Sequence, residues 1–207
     1  MKNNKIKPIT AVILADGKNS RIQKEKSLIK IGNCHLLTKQ IKLLSNIFEK
    51  ILIVTSKDIL RKKFPNIRIV EDYYKDCGPL AGIHTALSNC ETKYIFVFAC
   101  DMPNLNKELI QNQINYFLDI QPEALIPKHI EGIEPLHSIY STDCLPRINE
   151  NLRKNHCSIR GFYKKINLKY FTIEEKDIKH FFNINTHHDL IKYEIVMNRY
   201  KKVSNFS

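Results

Sequence analysis

Continuously apolar segments alternate with segments of helical periodicity from residue 9 to residue 118. The apolar segments have the length of β-strands, and the segments between them repeat with the period of an α-helix. Strands are expected at 9–15, 50–56, 67–72 and 93–99, and helices at 35–48, 57–64, 79–89 and 106–118. Because parallel strands are buried on both faces and need helical crossovers, this order predicts a mostly parallel sheet between two layers of helices.

The second half of the chain is less regular but continues the same mixture of elements. Strands are expected at 124–127, 134–140 and 168–173, and helices near 142–154 and after the segment NINTHHDL. No internal repeat or low-complexity linker divides the sequence, and 207 residues suit one domain with a full core. We therefore predict a single α/β domain, a three-layer sandwich over residues 1–207, with tails at 1–8 and 201–207.

The formal net charge of +12 is compatible with a polyanionic small molecule, a nucleic acid or an anionic membrane. The lysines are spread along the chain instead of forming one basic stripe, and no nucleic-acid-binding motif occurs. No apolar run reaches the ~18–20 residues that a membrane span needs. We therefore expect neither a nucleic acid nor a membrane as a partner.

Six cysteines occur without any C-x-x-C spacing, which argues against a zinc site. We expect them to be reduced thiols that pack in the interior, since disulfides are rare in cytoplasmic proteins. The expected location of the protein is the cytoplasm.

Carboxylates lie at or just after the ends of three of the expected strands. Asp16 follows the first strand, Asp72 ends the third and Asp101 follows the fourth. In sheets of this kind, ligands bind outside the carboxyl ends of the strands, where the strand order reverses. We therefore expect the three carboxylates to meet in one crevice, beside a basic loop that carries Arg21 and Lys26.

Asp101 is the candidate metal ligand, because it ends the most hydrophobic strand and precedes a proline turn. A carboxylate fixed in this way suits Mg²⁺, which takes one or two protein carboxylates together with phosphate oxygens and water. A capping or turn aspartate is the alternative, and position alone does not separate the two.

Two glycine-containing loops are candidate phosphate sites. The basic loop after the first strand contains neither G-x-x-x-x-G-K-[ST] nor G-x-G-x-x-G, yet its N–H groups with Arg21 and Lys26 can cradle phosphates. The segment 78–82 opens a helix whose first N–H groups can bind an anion. A solvated basic loop and a plain turn are the respective alternatives.

Together these motifs resemble the molybdenum cofactor guanylyltransferases, which are nucleotidyltransferases with a Rossmann-like sheet. The resemblance runs from about residue 9 to residue 192. The family pattern L-A-G-G, followed by R-M-G and K, corresponds here to residues 14–17, 21–23 and 26. The pattern E-D, followed by G-P-L-A-G, corresponds to residues 71–72 and 78–82. The patterns C-D-x-P and N-x-N-T-P correspond to residues 100–103 and 183–187. His187 stands in place of the last proline.

The resemblance implies a reaction, which is the transfer of GMP from GTP to the phosphate of molybdenum-molybdopterin. Molybdopterin guanine dinucleotide would form, and pyrophosphate would leave. It also implies Mg²⁺ as cofactor, GTP and molybdenum-molybdopterin as substrates, and a protein partner that inserts molybdenum or receives the product.

The resemblance further implies the roles of individual residues. Lys26, Arg21 and Asp101 would be catalytic, and Asp101 would bind the metal. The nucleotide, metal and pterin would contact Leu14, Ala15, Asp16, Gly17, Lys26, Asp72, Asp101, Asn183 and Asn185.

The chain departs from the family pattern in its phosphate loop, where Asp16 and Gln23 replace glycines. A carboxylate about 4 Å from a phosphate charge costs about 4 kcal/mol at an effective dielectric constant of about 20. The Asp16 side chain is therefore expected to point away, to pair with Lys18 or Lys24, or to share the metal. We predict an active enzyme with an altered loop.

Two alternatives stay open at this point. One is a cytidylyltransferase or another nucleotidyltransferase that acts on molybdopterin or on another phosphorylated acceptor. The other is a degenerate protein that binds a nucleotide without catalysis.

Overall fold

The structure is a computed structural model that describes residues 5–16, 30–31, 34–74 and 76–204, with side chains as far as residue 195. Within these residues the strands are β1 (Ile9–Leu14), β2 (Lys30–Ile31), β3 (Cys34–His35), β4 (Ile51–Val54), β5 (Arg68–Val70), β6 (Tyr94–Ala99), β7 (Ala124–His129), β8 (Gly132–Ile133), β9 (His137–Ser141) and β10 (Leu168–Thr172). The helices are α1 (Leu36–Ser45), α2 (Asp58–Lys63), α3 (Gly78–Asn89), α4 (Lys107–Ile120), α5 (Leu145–Arg153), α6 (Ile159–Tyr163) and α7 (His187–Ser204). Two 3₁₀ segments span Thr142–Cys144 and Glu175–Phe181.

The main sheet has the strand order β10-β7-β9-β6-β1-β4-β5, and β8 pairs with β7. The strands β5, β4, β1 and β6 are mutually parallel, and β10 is parallel to β7. The strand β9 runs antiparallel to both of its neighbours. The prediction of a mostly parallel, Rossmann-like α/β sheet is therefore confirmed.

The four parallel strands end at the same level. Leu14 pairs with both Val54 and Ala99, and Val54 pairs with Val70. From β1 the chain passes to β4 and β5, which lie on one side of β1 within the sheet, and then crosses to β6 on the other side of β1. A reversal of this kind leaves a crevice at the carboxyl ends of the strands, so the residues after these four strands share one edge.

Alternating side chains of β1 enter two apolar clusters, as the pleat of a strand requires. Ala11 and Ile13 belong to a cluster that also contains residues of α1 and α4. Val12 and Leu14 belong to a second cluster with residues of α3 and α5. The continuous apolar run thus arises because both faces of this strand are covered by helices.

The ends of the chain differ from the expected tails. The N–H of Ile6 donates to the carbonyl of Ile47, and the N–H of Glu49 donates to the carbonyl of Ile6. Residues inside the expected N-terminal tail are therefore attached to the fold, and α7 extends to Ser204, inside the expected C-terminal tail.

Short elements account for most of the other differences from the predicted pattern. The helix α6 has five residues, and its start is capped by the Ser158 hydroxyl, which accepts from the N–H of Gly161. The predicted helix near 142–154 divides into a 3₁₀ turn and α5. Elements of two to five residues are too short to produce a readable period.

Cys77 and Cys157 differ from the expected reduced thiols, because they form a disulfide in the structure. They are 80 residues apart in sequence, and their Cα atoms are 4.9 Å apart, a separation that a disulfide spans. The bond joins the residue before α3 to the loop before α6. The expectation was wrong here because sequence spacing does not reveal which distant cysteines the fold brings together.

No helix among the described residues is both long enough and apolar enough to cross a membrane.

Candidate active site

A cleft of about 920 Å³ lies at the level ends of the parallel strands. Leu14 and Asp16 reach it from the end of β1, Ser56 from β4, Asp72 from β5 and Asp101 from β6. The three carboxylates that follow separate strands in the sequence therefore line one cavity. They do so because the strands end in register.

Loops supply the remaining walls of the cleft. They come from the turn before α3, the segment before β9, the start of α6 and the segment before α7. The lining residues in these loops and at the adjoining helix starts are Tyr74, Asp76, Gly78, Pro79, Glu134, Pro135, Leu136, Ile159, Asn183 and Asn185.

Asp101 is held between two segments by backbone hydrogen bonds. Its carbonyl accepts from the N–H of Ile184 at 2.9 Å, and the N–H of the preceding Cys100 donates to the carbonyl of Leu14 at 3.2 Å. Asp101 is only 8% exposed. Because Ile184 is fixed to it, Asn183 and Asn185 lie on either side of this contact and also line the cleft.

The late N-x-N-T motif has a second, structural explanation in Thr186. The Thr186 hydroxyl accepts from the N–H of Asp189, and the Asp189 carboxylate accepts from the N–H groups of Asn185 and Thr186. This reciprocal arrangement is a capping box at the start of α7. It fixes the segment that carries Asn183 and Asn185 to the end of a long helix.

Asp72 is positioned by Thr85, a fully buried residue of α3. The Thr85 hydroxyl donates to Asp72 Oδ1 at 2.8 Å and accepts from the N–H of Tyr73 at 3.1 Å. Burial raises the pKa of the Asp72 carboxyl, the bond from Thr85 opposes this, and the nearby Asp16 charge adds to it. The side chain is therefore fixed in direction but partly desolvated.

The Asp16 carboxylate is bound to the end of β4. The Thr55 hydroxyl donates to Oδ1 at 2.8 Å, and the N–H of Ser56 donates to Oδ2. The side chain is directed towards the residues after β4, an arrangement that corresponds to the expectation that it points away. Lys18 and Lys24 lie outside the described residues. The Asp16 carboxylate thus accepts hydrogen bonds from two protein groups at the edge of the cleft.

We expect Asp16→Gly to lower the free energy of unfolding by about 1 kcal/mol, because two hydrogen bonds between β1 and β4 are lost. The rate of nucleotidyl transfer should change less than about tenfold, since the carboxylate is engaged with the protein itself. Urea unfolding and steady-state rates measure the two effects. Thr55→Val is the comparison variant, because it keeps Asp16 and removes the bond to Oδ1 together with the bond from the N–H of Lys57. A gain of orders of magnitude in turnover would show instead that Asp16 marks a decayed site.

The glycines of the segment 78–82 have separate structural roles. Gly78 has φ +61°, a left-handed conformation that glycine adopts without strain. A Cβ on Gly82 would approach Leu14 Cδ1 at 3.1 Å, so the missing side chain allows α3 to pack against the end of β1. Turn and close packing explain these positions, while Gly78 and Pro79 also line the cleft.

The other predicted site residues lie beside the cleft or outside the described part of the chain. Ala15 is buried, and its N–H donates to the carbonyl of Val54 at 3.0 Å, which holds the end of β1 beside β4. Gly17, Arg21 and Lys26 lie outside the described residues.

Sequence reasoning missed several residues at the site. Lys57 and Ser56 line the cleft after β4, and their position after a buried strand was a signal that could have identified them. Thr85 and Glu134 carried no such signal. Thr85 lies inside a helix. Glu134 was predicted to be the first residue of a strand, but β9 begins only at His137.

The fold and the cleft together define a Rossmann-like nucleotidyltransferase, with carboxylates at the level ends of parallel strands. Residues 11–168 match the model of the MobA-like NTP transferase domain. The chain belongs to this family.

Curated relatives agree with this assignment over most of their length. The molybdenum cofactor guanylyltransferase of Syntrophotalea carbinolica is 32% identical over 191 residues, which cover 89% of this chain and 90% of the relative. A probable molybdenum cofactor guanylyltransferase of Clostridium perfringens strain 13 is 34% identical over 196 residues, which cover 88% and 96%.

Solved structures share the fold. The molybdopterin-guanine dinucleotide biosynthesis protein A of Archaeoglobus fulgidus superposes with a TM-score of 0.80 at 25% identity, over 92% of this chain and 99% of that one. The CMP:2-keto-3-deoxy-manno-octonic acid synthetase in complex with CTP superposes with a TM-score of 0.70 at 10% identity, over 93% and 98%. The second likeness concerns the fold alone.

Proposed function

We propose that this protein transfers GMP from GTP to the phosphate of molybdenum-molybdopterin, which forms molybdopterin guanine dinucleotide and releases pyrophosphate. Family membership supports nucleotidyl transfer, and the curated relatives are named for guanylyl transfer to the molybdenum cofactor. The observation that carries the proposal is the position of Asp101, held in the cleft between the end of β1 and the segment before α7.

The same proposal includes the setting of the reaction. Residues 1–207 would act as one nucleotidyltransferase domain in the cytoplasm. A protein that inserts molybdenum, or a molybdoenzyme that receives the product, would be its partner.

The reaction needs no nucleophile from the protein, because the acceptor phosphate is already an anion. An oxygen of that phosphate attacks the α-phosphorus of GTP, the bond from this phosphorus to the bridging oxygen breaks, and pyrophosphate leaves. The protein aligns the two phosphates and offsets their charge. We assign the backbone of residues 14–17 and the side chain of Asp72 to the nucleotide, and Arg21 and Lys26 to the charge that builds up on the phosphates.

Mg²⁺ is the cofactor in this proposal, and Asp101 would hold it. The donor set suits that ion, because the Asp101 carboxylate and the amide oxygens of Asn183 and Asn185 are hard oxygen ligands at one edge of the cleft. When bound, Mg²⁺ neutralises phosphate charge and polarises the α-phosphorus. Asp101 contributes a nine-tenths buried carboxylate on a rigid strand end, and the two asparagines are fixed beside it through Ile184.

Pyrophosphate release tests the proposed function. Purified protein is supplied with Mg²⁺ and molybdopterin, and GTP, CTP and ATP are offered separately. We expect release with GTP alone. Release with CTP alone would keep nucleotidyl transfer and overturn the choice of base. Binding of a nucleotide without release would indicate a non-catalytic protein or a different acceptor.

A further inference from the structure

A further carboxylate, which the proposed mechanism does not use, lines the cleft at Glu134. Its Oε1 is 3.0 Å from Nε2 of His129, whose side chain is only 3% exposed. The N–H of Glu131 donates to the other ring nitrogen, Nδ1 of His129, at 3.2 Å. Because Nδ1 accepts a hydrogen bond, the proton of the neutral ring lies on Nε2, which therefore donates to Glu134.

The backbone of Glu134 is fixed as firmly as its side chain. Its N–H donates to the carbonyl of Pro127, and its carbonyl accepts from the Ser138 hydroxyl and from the N–H of His137. Within the described part of the chain, Oε2 makes no hydrogen bond. A buried histidine thus fixes the direction of the Glu134 carboxylate, and Oε2 is the oxygen left to accept from a ligand in the cleft.

A carboxylate in a cleft that takes phosphates needs a cation or a hydrogen-bond donor opposite it, and the cation is assigned to Asp101. Against a phosphate charge about 4 Å away a carboxylate would cost about 4 kcal/mol at an effective dielectric constant of about 20. A 2-amino-4-oxopyrimidine ring offers the matching group, since its ring N–H and its amino group point in the same direction. Both substrates of the proposed reaction contain this edge, guanine in GTP and the pterin in the acceptor.

The strand order separates these two sources. Asp16, Ser56 and Asp72 follow β1, β4 and β5, which all lie on one side of β6. Glu134 precedes β9, which lies on the opposite side of β6, and the loop is attached there because the N–H of Ala99 donates to the carbonyl of Leu136. Asp101 follows β6, between the two groups. Glu134 therefore lies on the opposite side of Asp101 from the residues that we assign to the nucleotide.

We propose that Glu134, oriented by His129, binds the 2-amino-4-oxopyrimidine edge of the pterin in the acceptor. This inference rests on the proposed function, because the nucleotide side of the cleft is assigned there. It makes Glu134 a specificity-determining residue for the acceptor and His129 its positioning residue.

Binding of 6-hydroxymethylpterin, followed by the quenching of its fluorescence, tests the assignment without any turnover. The comparison ligand is 6-hydroxymethyllumazine, which carries an oxygen in place of the 2-amino group. We expect the wild type to bind the pterin at least tenfold more tightly than the lumazine. Glu134→Gln should weaken pterin binding about 10- to 100-fold, the range expected for a hydrogen bond to a charged group, and should leave lumazine binding nearly unchanged.

Glu131→Gln is the matched control, because it removes the same charge from the exposed tip of the same hairpin. It should leave both affinities unchanged. Glutamine keeps an oxygen for the His129 N–H, and thermal unfolding verifies that the Glu134 variant is folded. Even without that variant, equal binding of pterin and lumazine by the wild type would overturn the proposal.

The GTP affinity distinguishes the remaining outcomes. Glu134→Gln should not change it, and a loss of GTP affinity with pterin binding intact would assign Glu134 to guanine and overturn the inference. Selective pterin binding by a protein that releases no pyrophosphate would contradict the proposed function while leaving the pterin subsite in place. Guanylyl transfer by a protein that binds pterin and lumazine equally would support the proposed function and overturn the pterin subsite.

Discussion

Replacement of Asp101 with asparagine is expected to lower the rate of pyrophosphate release by on the order of 10³-fold. The variant loses a carboxylate that is buried at a rigid strand end, the group that we propose as the metal ligand. It keeps the backbone hydrogen bonds that join Cys100 to β1 and Asp101 to Ile184. The fold should therefore survive, and the loss should appear in turnover at saturating GTP.

A titration with Mg²⁺ makes this result specific. The variant should need a much higher Mg²⁺ concentration for its residual rate, because an amide oxygen is a weaker ligand than a carboxylate. Asp119→Asn, on an exposed position of α4, is the matched control and should behave as the wild type. A rate within about tenfold of the wild type in Asp101→Asn, with an unchanged Mg²⁺ dependence, would remove Asp101 as the metal ligand.

The second large effect concerns stability and pH, and it comes from His137. This residue of β9 is 0% exposed, and both of its ring nitrogens lack a hydrogen-bond partner among the described residues. The rings of Phe96, Phe98 and Phe181 surround it at centroid distances of 4.9–5.3 Å. Burial lowers the pKa of His137 to about 3 from the ordinary value of 6.5.

The direction of the pH effect follows from proton binding. Between pH 6.5 and pH 3 the unfolded chain binds a proton at His137 that the folded protein excludes, so the free energy of unfolding falls as the pH falls. The slope is about 1.4 kcal/mol per pH unit well below pH 6.5, which amounts to about 2 kcal/mol at pH 5. His137→Phe should remove this contribution.

Urea unfolding at pH 7 and pH 5 measures the difference. The wild type should lose about 2 kcal/mol more between the two pH values than His137→Phe does. His84 keeps a smaller dependence of the same sign in both proteins, because burial also lowers its pKa. His156→Phe, at an exposed position, should follow the wild type. Equal losses in wild type and His137→Phe would show that His137 accepts a proton in the folded state.

The sequence was sufficient to predict the parallel half of the sheet, because each of its strands is covered on both faces and therefore reads as one apolar run. The same property located Asp16, Asp72 and Asp101, since a polar residue directly after a buried strand lies at a known edge of the sheet. Their meeting in one cleft depended only on the level strand ends.

Other parts depended on contacts between distant segments. The sequence of β9 does not indicate that this strand lies antiparallel between β6 and β7, because a buried strand of either direction has the same apolar pattern. The bond between Thr85 and Asp72 and the pairing of Cys77 with Cys157 arise only when α3 packs against its neighbours. The Asp16 carboxylate likewise finds its partners in the residues directly after β4, about 40 positions along the chain from its own loop.

The reversed direction of β9 gives the two halves of the cleft different freedom to evolve. The half that we propose for the nucleotide is built on strand ends whose alignment is shared by four parallel strands, so a length change there would disturb all of them. The half that we propose for the acceptor is built on the entry to β9, which follows the short hairpin containing β8 and is bonded to β7 through the N–H of Glu134. Insertions into this hairpin can reshape the acceptor wall while the parallel strands keep their register. A cleft divided in this way would let the wall at β9 change without rebuilding the aligned strand ends that form the other wall.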